Sequence, residues 1–185
     1  MRIFSYQNPI ILEEIENTGV YAPFLLREKN DFLKDCINDP HGFIQSYDWL
    51  HKKMIERKIK SIGEAKEIIW GWGQNNSDNA INLRYKRNRE VYNNHVLLEL
   101  EIDEDRLCPS CYYNWHSILN NGPIVHTEEE YDKADTQEKI EATWDNVFDV
   151  FFYKDIEPCI QYTFFQILKT DIISIKKIEN MKVVK

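Results

Sequence analysis

A few short stretches of this chain carry residue types that could do chemistry. Cys108-Pro109-Ser110-Cys111 is a CxxC pair. At the start of a helix, which Pro109 suits, the peptide dipoles would lower a thiol pKa and make a reactive or metal-ligating cysteine. A redox motif of this form belongs after the first strand of a βαβ unit, whereas here it lies past the middle of the chain. A zinc site needs a second ligand pair, and neither Cys36, Cys159 nor the five histidines stand at metal spacing. The expectation is two half-buried thiols and no metal.

Trp70-Gly71-Trp72-Gly73-Gln74 is more informative. Two tryptophans on one strand face are either core or the walls of a pocket for a planar base or nicotinamide ring. The glycines favour the pocket, because glycine inside a strand costs stability and often marks a close approach by ligand or backbone. In Trp115-His116, an inward Trp115 sets His116 about 100° round a helix, at a rim suited to a general base or to ordinary surface exposure. Glu99 and Glu101 share one strand face, either as candidate acids or as the wet side of a half-exposed strand. Arg84, Lys86, Arg87 and Arg89, interleaved with Tyr85 and Asn88, read as a solvated loop or as a patch for a phosphate-bearing ligand. No phosphate-cradling glycine loop, nucleophile elbow or HExxH is present, so simple NTPase, α/β-hydrolase and zinc-protease functions are set aside.

The elements that must position these residues follow from periodicity. Residues 2–7 read as a strand, followed by a helix with Asn8 as N-cap, Pro9 in its first turn, Ile11, Leu12 and Ile15 inward and Gly19 at its end. Residues 20–26 read as extended and 27–43 as irregular, with Asp39-Pro40-His41-Gly42 as a turn. Tyr47, Leu50 and Met54 predict a helix over 45–59. Residues 66–72 alternate as a strand, 75–94 as a loop, and 95–102 as the clearest strand, with Val96, Leu98, Leu100 and Ile102 on one face. Tyr112, Trp115 and Leu119 form the stripe of a helix begun by Pro109 and ended by Asn121-Gly122. A longer helix is expected over 136–150, then strands over 159–168 and 171–178. Interleaved strands and helices predict a single α+β (mixed α/β) domain over residues 1–185, with a mostly antiparallel or split sheet and flanking helices.

Composition sets the limits. The 185 residues are 43% hydrophobic and 29% charged, a globular balance, and a chain of this length buries roughly two-thirds of its unfolded surface. The net charge of −8 argues against an extensive nucleic-acid surface. No window approaches the roughly 18 apolar residues of a membrane span. Four cysteines behind an N-terminus without an apolar leader point to reduced thiols and the cytosol.

Several segments taken together carry a resemblance: Phe4-Ser5-Tyr6-Gln7, Gly19-Val20-Tyr21, Tyr47-Asp48-Trp49, Ile69-Trp70-Gly71-Trp72, Leu97 to Asp103, Trp115 to Asn120, Thr143-Trp144-Asp145 and Ile160-Gln161. Over nearly the whole chain they look like the bacterial domain of unknown function numbered thirty-eight forty-one, a family whose name implies no activity. The CxxC stretch and the glycines around Trp72 depart from that family's pattern. A second likeness is to ADP-ribosyltransferase-like folds, in which a polar residue on the first strand grips NAD and a late glutamate orients the ribose. The positions that match would be Gln7, Tyr21 and Gln161. Gln161 departs from the pattern, since an amide can bond ribose hydroxyls but carries no charge to stabilise an oxocarbenium centre.

The resulting expectation is a pocket protein binding NAD or an ADP-ribose-type nucleotide through Gln7, Tyr21, Trp70, Trp72, Trp115, His116 and Gln161, with Arg84 or Arg87 on phosphate. The alternatives are an active ADP-ribosyltransferase of toxin or defence type, and a non-enzymatic protein-interaction module. Candidate catalytic groups are His116, Glu99 or Glu101, and Gln161. NAD is the one cofactor or substrate implied.

Overall fold

Alternation in Arg2–Gln7 sends Ile3 and Ser5 to one side and Phe4 and Tyr6 to the other, the pattern of a strand covered on both faces. The computed structural model describes residues 1–23, 43–63, 67–73, 78–154 and 157–184. In chain order the elements are β1 (Arg2–Gln7), α1 (Ile10–Thr18), β2 (Val20–Tyr21), α2 (Phe43–Glu56), β3 (Ile69–Gly73), α3 (Asp78–Ile81), α4 (Lys86–Val91), β4 (Val96–Glu101), β5 (Cys108–Cys111), α5 (Tyr112–Leu119), α6 (Glu128–Lys133), α7 (Gln137–Ala142), β6 (Ile160–Phe164), β7 (Ile167–Leu168), β8 (Ile172–Glu179) and β9 (Lys182–Val184). Seven strands form one sheet in the order β5-β6-β3-β1-β4-β8-β9, and β2 pairs with β7 in a second. The fold is α+β, as the sequence predicts. The chain divides into two compact units, one of Met1–Phe24, Ile59–Cys108 and Tyr162–Lys185, the other of Leu25–Lys58 and Pro109–Gln161.

In the first unit, β1 runs antiparallel to β3 and β4, and β4 to β8. Ile3, Leu98 and Leu100 lie on one face with Ile11 and Ile15 of α1 in a core completed by Phe164 and Ile167. Each such side chain contributes about 1.5–3 kcal/mol by leaving water. Helix α1 ends as expected at Gly19, whose φ of 80° is left-handed and whose N–H reaches Ile15 O.

The glycines of β3 have a packing cause. A Cβ on Gly71 would sit 2.4 Å from Ile3 Cγ2 and 3.1 Å from the Phe164 ring, and one on Gly73 2.9 Å from the Tyr162 ring. Neighbouring strands, not a ligand, occupy the space the missing side chains leave.

In the second unit, α2 buries Ser46, Leu50 and Met54. Trp49 meets Trp144 edge-on at 5.4 Å, and the Trp144 indole N–H donates to Gly122 O.

Four expected elements differ, the first being the strand expected over 159–168, which is two, β6 in the seven-stranded sheet and β7 paired with β2. Pro109 does not open a helix: Cys108–Cys111 is β5, at the sheet's edge, where a proline costs no ladder bond. The helix expected over 136–150 stops at Ala142, where Thr143 Oγ1 turns back to Ile140 O, and a 3₁₀ turn covers Trp144–Phe148. The loop expected over 75–94 contains α3 and α4, folded onto the sheet by a Tyr6 hydroxyl bond to Ala80 O and a Tyr6–Tyr92 ring stack at 3.6 Å. The turn read at 39–42, and Cys36, lie outside the described residues.

Candidate functional site

Strand register in the first unit decides which candidates share a face. Phe4 stands opposite Trp72 on one side and Glu99 on the other, and Glu99 opposite Ser174. Tyr6 stands opposite Leu97, and Leu97 opposite Lys176. Trp72, Phe4, Glu99 and Ser174 therefore form one row across β3, β1, β4 and β8, and Trp70, Tyr6, Leu97 and Lys176 the next. Strands lie about 4.8 Å apart, and because Phe4 and Leu97 are buried the accessible groups of these rows include Trp70, Trp72, Glu99, Ser174 and Lys176.

Glu99 is the acid of this face. Its carboxylate accepts from Ser174 Oγ at 2.8 Å and lies 3.4 Å from Arg2 Nη1, with the side chain 20% exposed. Glu101 is more exposed and pairs with the Met1 ammonium. Trp70 and Trp72 are half-buried.

A cleft of about 370 Å³ opens at the β8–β9 end of the same unit, lined by Ile81, Asn82, Leu83, Arg84, Lys176 and Val183. Among the described residues, no carboxylate stands within ion-pair distance of Arg84 or Lys176. The cleft wall is held by Arg89, whose Nε donates to Met181 O and whose Nη1 donates to Arg84 O. Arg87 is exposed on α4 and is not part of the wall.

Gln7 is on the opposite face. Its amide donates to Ser5 Oγ at 2.8 Å, and Ser5 Oγ donates to Trp70 O at 2.6 Å, so it serves the backbone of β3 and not the tryptophan rings. Tyr21, on β2, packs against the core, and burial, with Glu14 nearby, pushes its phenol above the usual range.

The second unit places the other candidates. Trp115 is 4% exposed and meets Tyr47 edge-on at 5.5 Å, a core position. His116 is exposed, its ring edge-on to Tyr112 at 4.5 Å. Gln161 is 3% exposed, and its Nε2 has no hydrogen-bond partner among the described residues. No group of residues that could hold a metal occurs among the described residues. Cys111 caps α5 and Cys159 lies before β6. Burial, with Cys111 alongside, raises the Cys159 thiol.

A larger cleft of this unit was not signalled by any motif. It measures about 620 Å³ and is walled by the segment Ile124–His126, by α6 and α7, and by Phe152. The one readable sign was Thr127 with Glu130 three residues on. These form a reciprocal capping box in which Glu130 also accepts from His126 N. Those bonds hold the Glu130 carboxyl below its ordinary range.

A family model described as a domain of unknown function (DUF3841) matches residues 2–180. The chain belongs to that family. Neither a curated protein nor a solved structure matches it. In this DUF3841 chain no helix among the described residues is long and apolar enough to cross a membrane.

Proposed function

We propose that this DUF3841 protein binds NAD or an ADP-ribose-type nucleotide, in the cytosol, on the first unit's sheet face. The observation that carries the reading is the pair of cations, Arg84 and Lys176, at one cleft and without a carboxylate partner among the described residues. In a chain of net charge −8, such a pair favours a phosphate or pyrophosphate group. Trp70 and Trp72 on the same face supply aromatic surface for a base or nicotinamide. Glu99 and Ser174 supply an acceptor and a hydroxyl for ribose. Trp115 and Gln161 take no part in this surface because both are buried.

A transferase reading rests on Glu99, a carboxylate that would orient ribose hydroxyls in place of the acid missing at Gln161. An interaction module is favoured by one observation, the exposed Ile173, Ile175 and Met181 on β8 and the turn after it.

Thermal shift against NAD, ADP-ribose and inorganic pyrophosphate tests the proposal. A nucleotide at about 100 times its dissociation constant adds roughly 2.7 kcal/mol of stability and raises the midpoint. The shift should vanish in Arg84→Gln/Lys176→Gln and persist in Gln161→Met. Absence of any shift, or a shift indifferent to both cations, overturns the reading. If binding holds, NAD turnover lost in Glu99→Gln with folding intact separates a transferase from a binder.

A further inference from the structure

We infer that the second unit's cleft is a separate binding site for a small organic anion with a flat apolar body. Its volume, about 620 Å³, is that of a small-molecule pocket. Its floor is apolar, with Ile124, Ala134, Ala142 and Phe152, the His126 ring lines one side, and its charged lining is Glu130, Lys133 and Lys139. Glu130 is already engaged by the backbone N–H groups of His126 and Thr127. Two lysines against this one carboxylate give the lining a net positive charge, in a protein whose net charge is −8.

The walls are prepared rather than loose. Ile124 N donates to Thr143 Oγ1 at 2.9 Å, Asn146 Nδ2 donates to Ile124 O at 2.9 Å, and the Tyr153 hydroxyl donates to Val125 O at 3.1 Å. The His126 ring stacks on Phe152 at 3.9 Å and 14°, and Tyr153 meets it edge-on. An exposed imidazole is thereby fixed as an aromatic wall beside two ammonium groups. Lys133 and Lys139 come from different helices, α6 and α7, and their partners, Glu129 and Asp135, are exposed neighbours four residues away. Exposed pairs of this kind are weak, so both lysines can turn to a ligand carboxylate or phosphate at little cost. A flat apolar body against Phe152 with its anionic group between the lysines satisfies each feature of the lining.

Isothermal calorimetry with 2-naphthoate, the neutral 2-naphthalenemethanol and acetate tests this on the full chain. Saturable binding of naphthoate, with the alcohol and acetate at least roughly tenfold weaker, is expected. Lys133→Gln/Lys139→Gln should weaken it by roughly tenfold or more. Ala142→Trp, which fills the cleft, should abolish it, and near-UV circular dichroism should show both variants folded. Arg84→Gln, in the other unit, should leave it unchanged, so this site and the nucleotide site can fail independently. No saturable binding at millimolar naphthoate, binding indifferent to the lysines, or binding lost on Arg84→Gln overturns the inference. Should Ala142→Trp not fold, Ala134→Leu takes its place with the same expected loss.

Discussion

Arg106 and Asp171 meet as a buried two-pronged ion pair, Nη1 to Oδ1 at 2.8 Å and Nη2 to Oδ2 at 2.9 Å, with side chains 6% and 7% exposed. Arg106 Nη2 also donates to Gln166 O, and Asp171 Oδ2 accepts from Leu168 N. The pair ties the 3₁₀ turn after β4 to the one that joins β7 to β8. Two desolvated charges gain little over an apolar pair, but removing one strands the other. Arg106→Met should therefore cost about 3–5 kcal/mol, and Arg106→Met/Asp171→Leu much less than the sum of the two single changes. Urea denaturation of the double-mutant cycle measures the coupling, and additive losses would refute the account.

Gly71 supports a second prediction, in which the backbone makes room for a neighbour. The 2.4 Å approach to Ile3 Cγ2 cannot be absorbed by the tip of a flexible side chain, since Ile3 is fully buried. Gly71→Ala should cost about 1–3 kcal/mol from overpacking. In an Ile3→Ala background the same change should cost clearly less, because the clashing methyl is gone. An equal loss in both backgrounds would point to backbone propensity instead.

Tyr6 links the sheet to the segment folded over it. Burial first, then Tyr92 beside it, pushes its phenol far above the usual range. The unfolded chain releases that proton near pH 10, and the native chain only at higher pH. The raised native pKa gives stability that is complete below about pH 10 and declines as pH rises past it. Tyr6→Phe should flatten the alkaline limb of the stability curve. At neutral pH it should cost about 0.5–1.5 kcal/mol for the lost bond to Ala80 O. Chemical denaturation from pH 7 to 11 checks both, and an unchanged alkaline limb would sink the assignment.

The legible parts of this chain are those in which local pattern and tertiary demand agree. Val96, Leu98 and Leu100 alternate because one face of β4 meets the core, and Gly19 ends α1 because only a left-handed residue fits there. The CxxC stretch misled because Pro109 suits either a first helical turn or an edge strand, and only sheet order decides. The glycines of β3 misled for a related reason. A close approach is legible in the sequence, but whether Ile3 or a ligand makes it is not. Of the candidate site, Arg84, Glu99 and the two tryptophans come to one unit, with the tryptophans and Glu99 on one face. Ser174 and Lys176 escaped notice because their relevance lies in cross-strand register. The cleft of His126, Lys133 and Lys139 has no sequence motif because its lining comes from four separate short segments.

Gln161 carries the last prediction. Tyr112 N donates to Cys159 O, and β5, which carries Ser110, neighbours β6, which carries Gln161. Ser110 Oγ, both polar atoms of Asn114 and Gln161 Nε2 are buried without a hydrogen-bond partner among the described residues. An unpartnered buried amide contributes desolvation cost and no compensating bond. Gln161→Met, which keeps its length and shape, should therefore be neutral or stabilising. Gln161→Glu keeps the length of the side chain, yet at neutral pH it would bury an uncompensated charge. It should cost about 3–5 kcal/mol at pH 7. Burial would raise that carboxyl's native pKa, so the loss should shrink as the pH is lowered toward about 4, where the unfolded side chain is itself protonated. Denaturant titrations of both variants at pH 5 and pH 7 make the comparison. A destabilised Gln161→Met, or a Gln161→Glu as stable at pH 7 as the parent chain, would show that the position has a polar partner and open it again as a ligand contact.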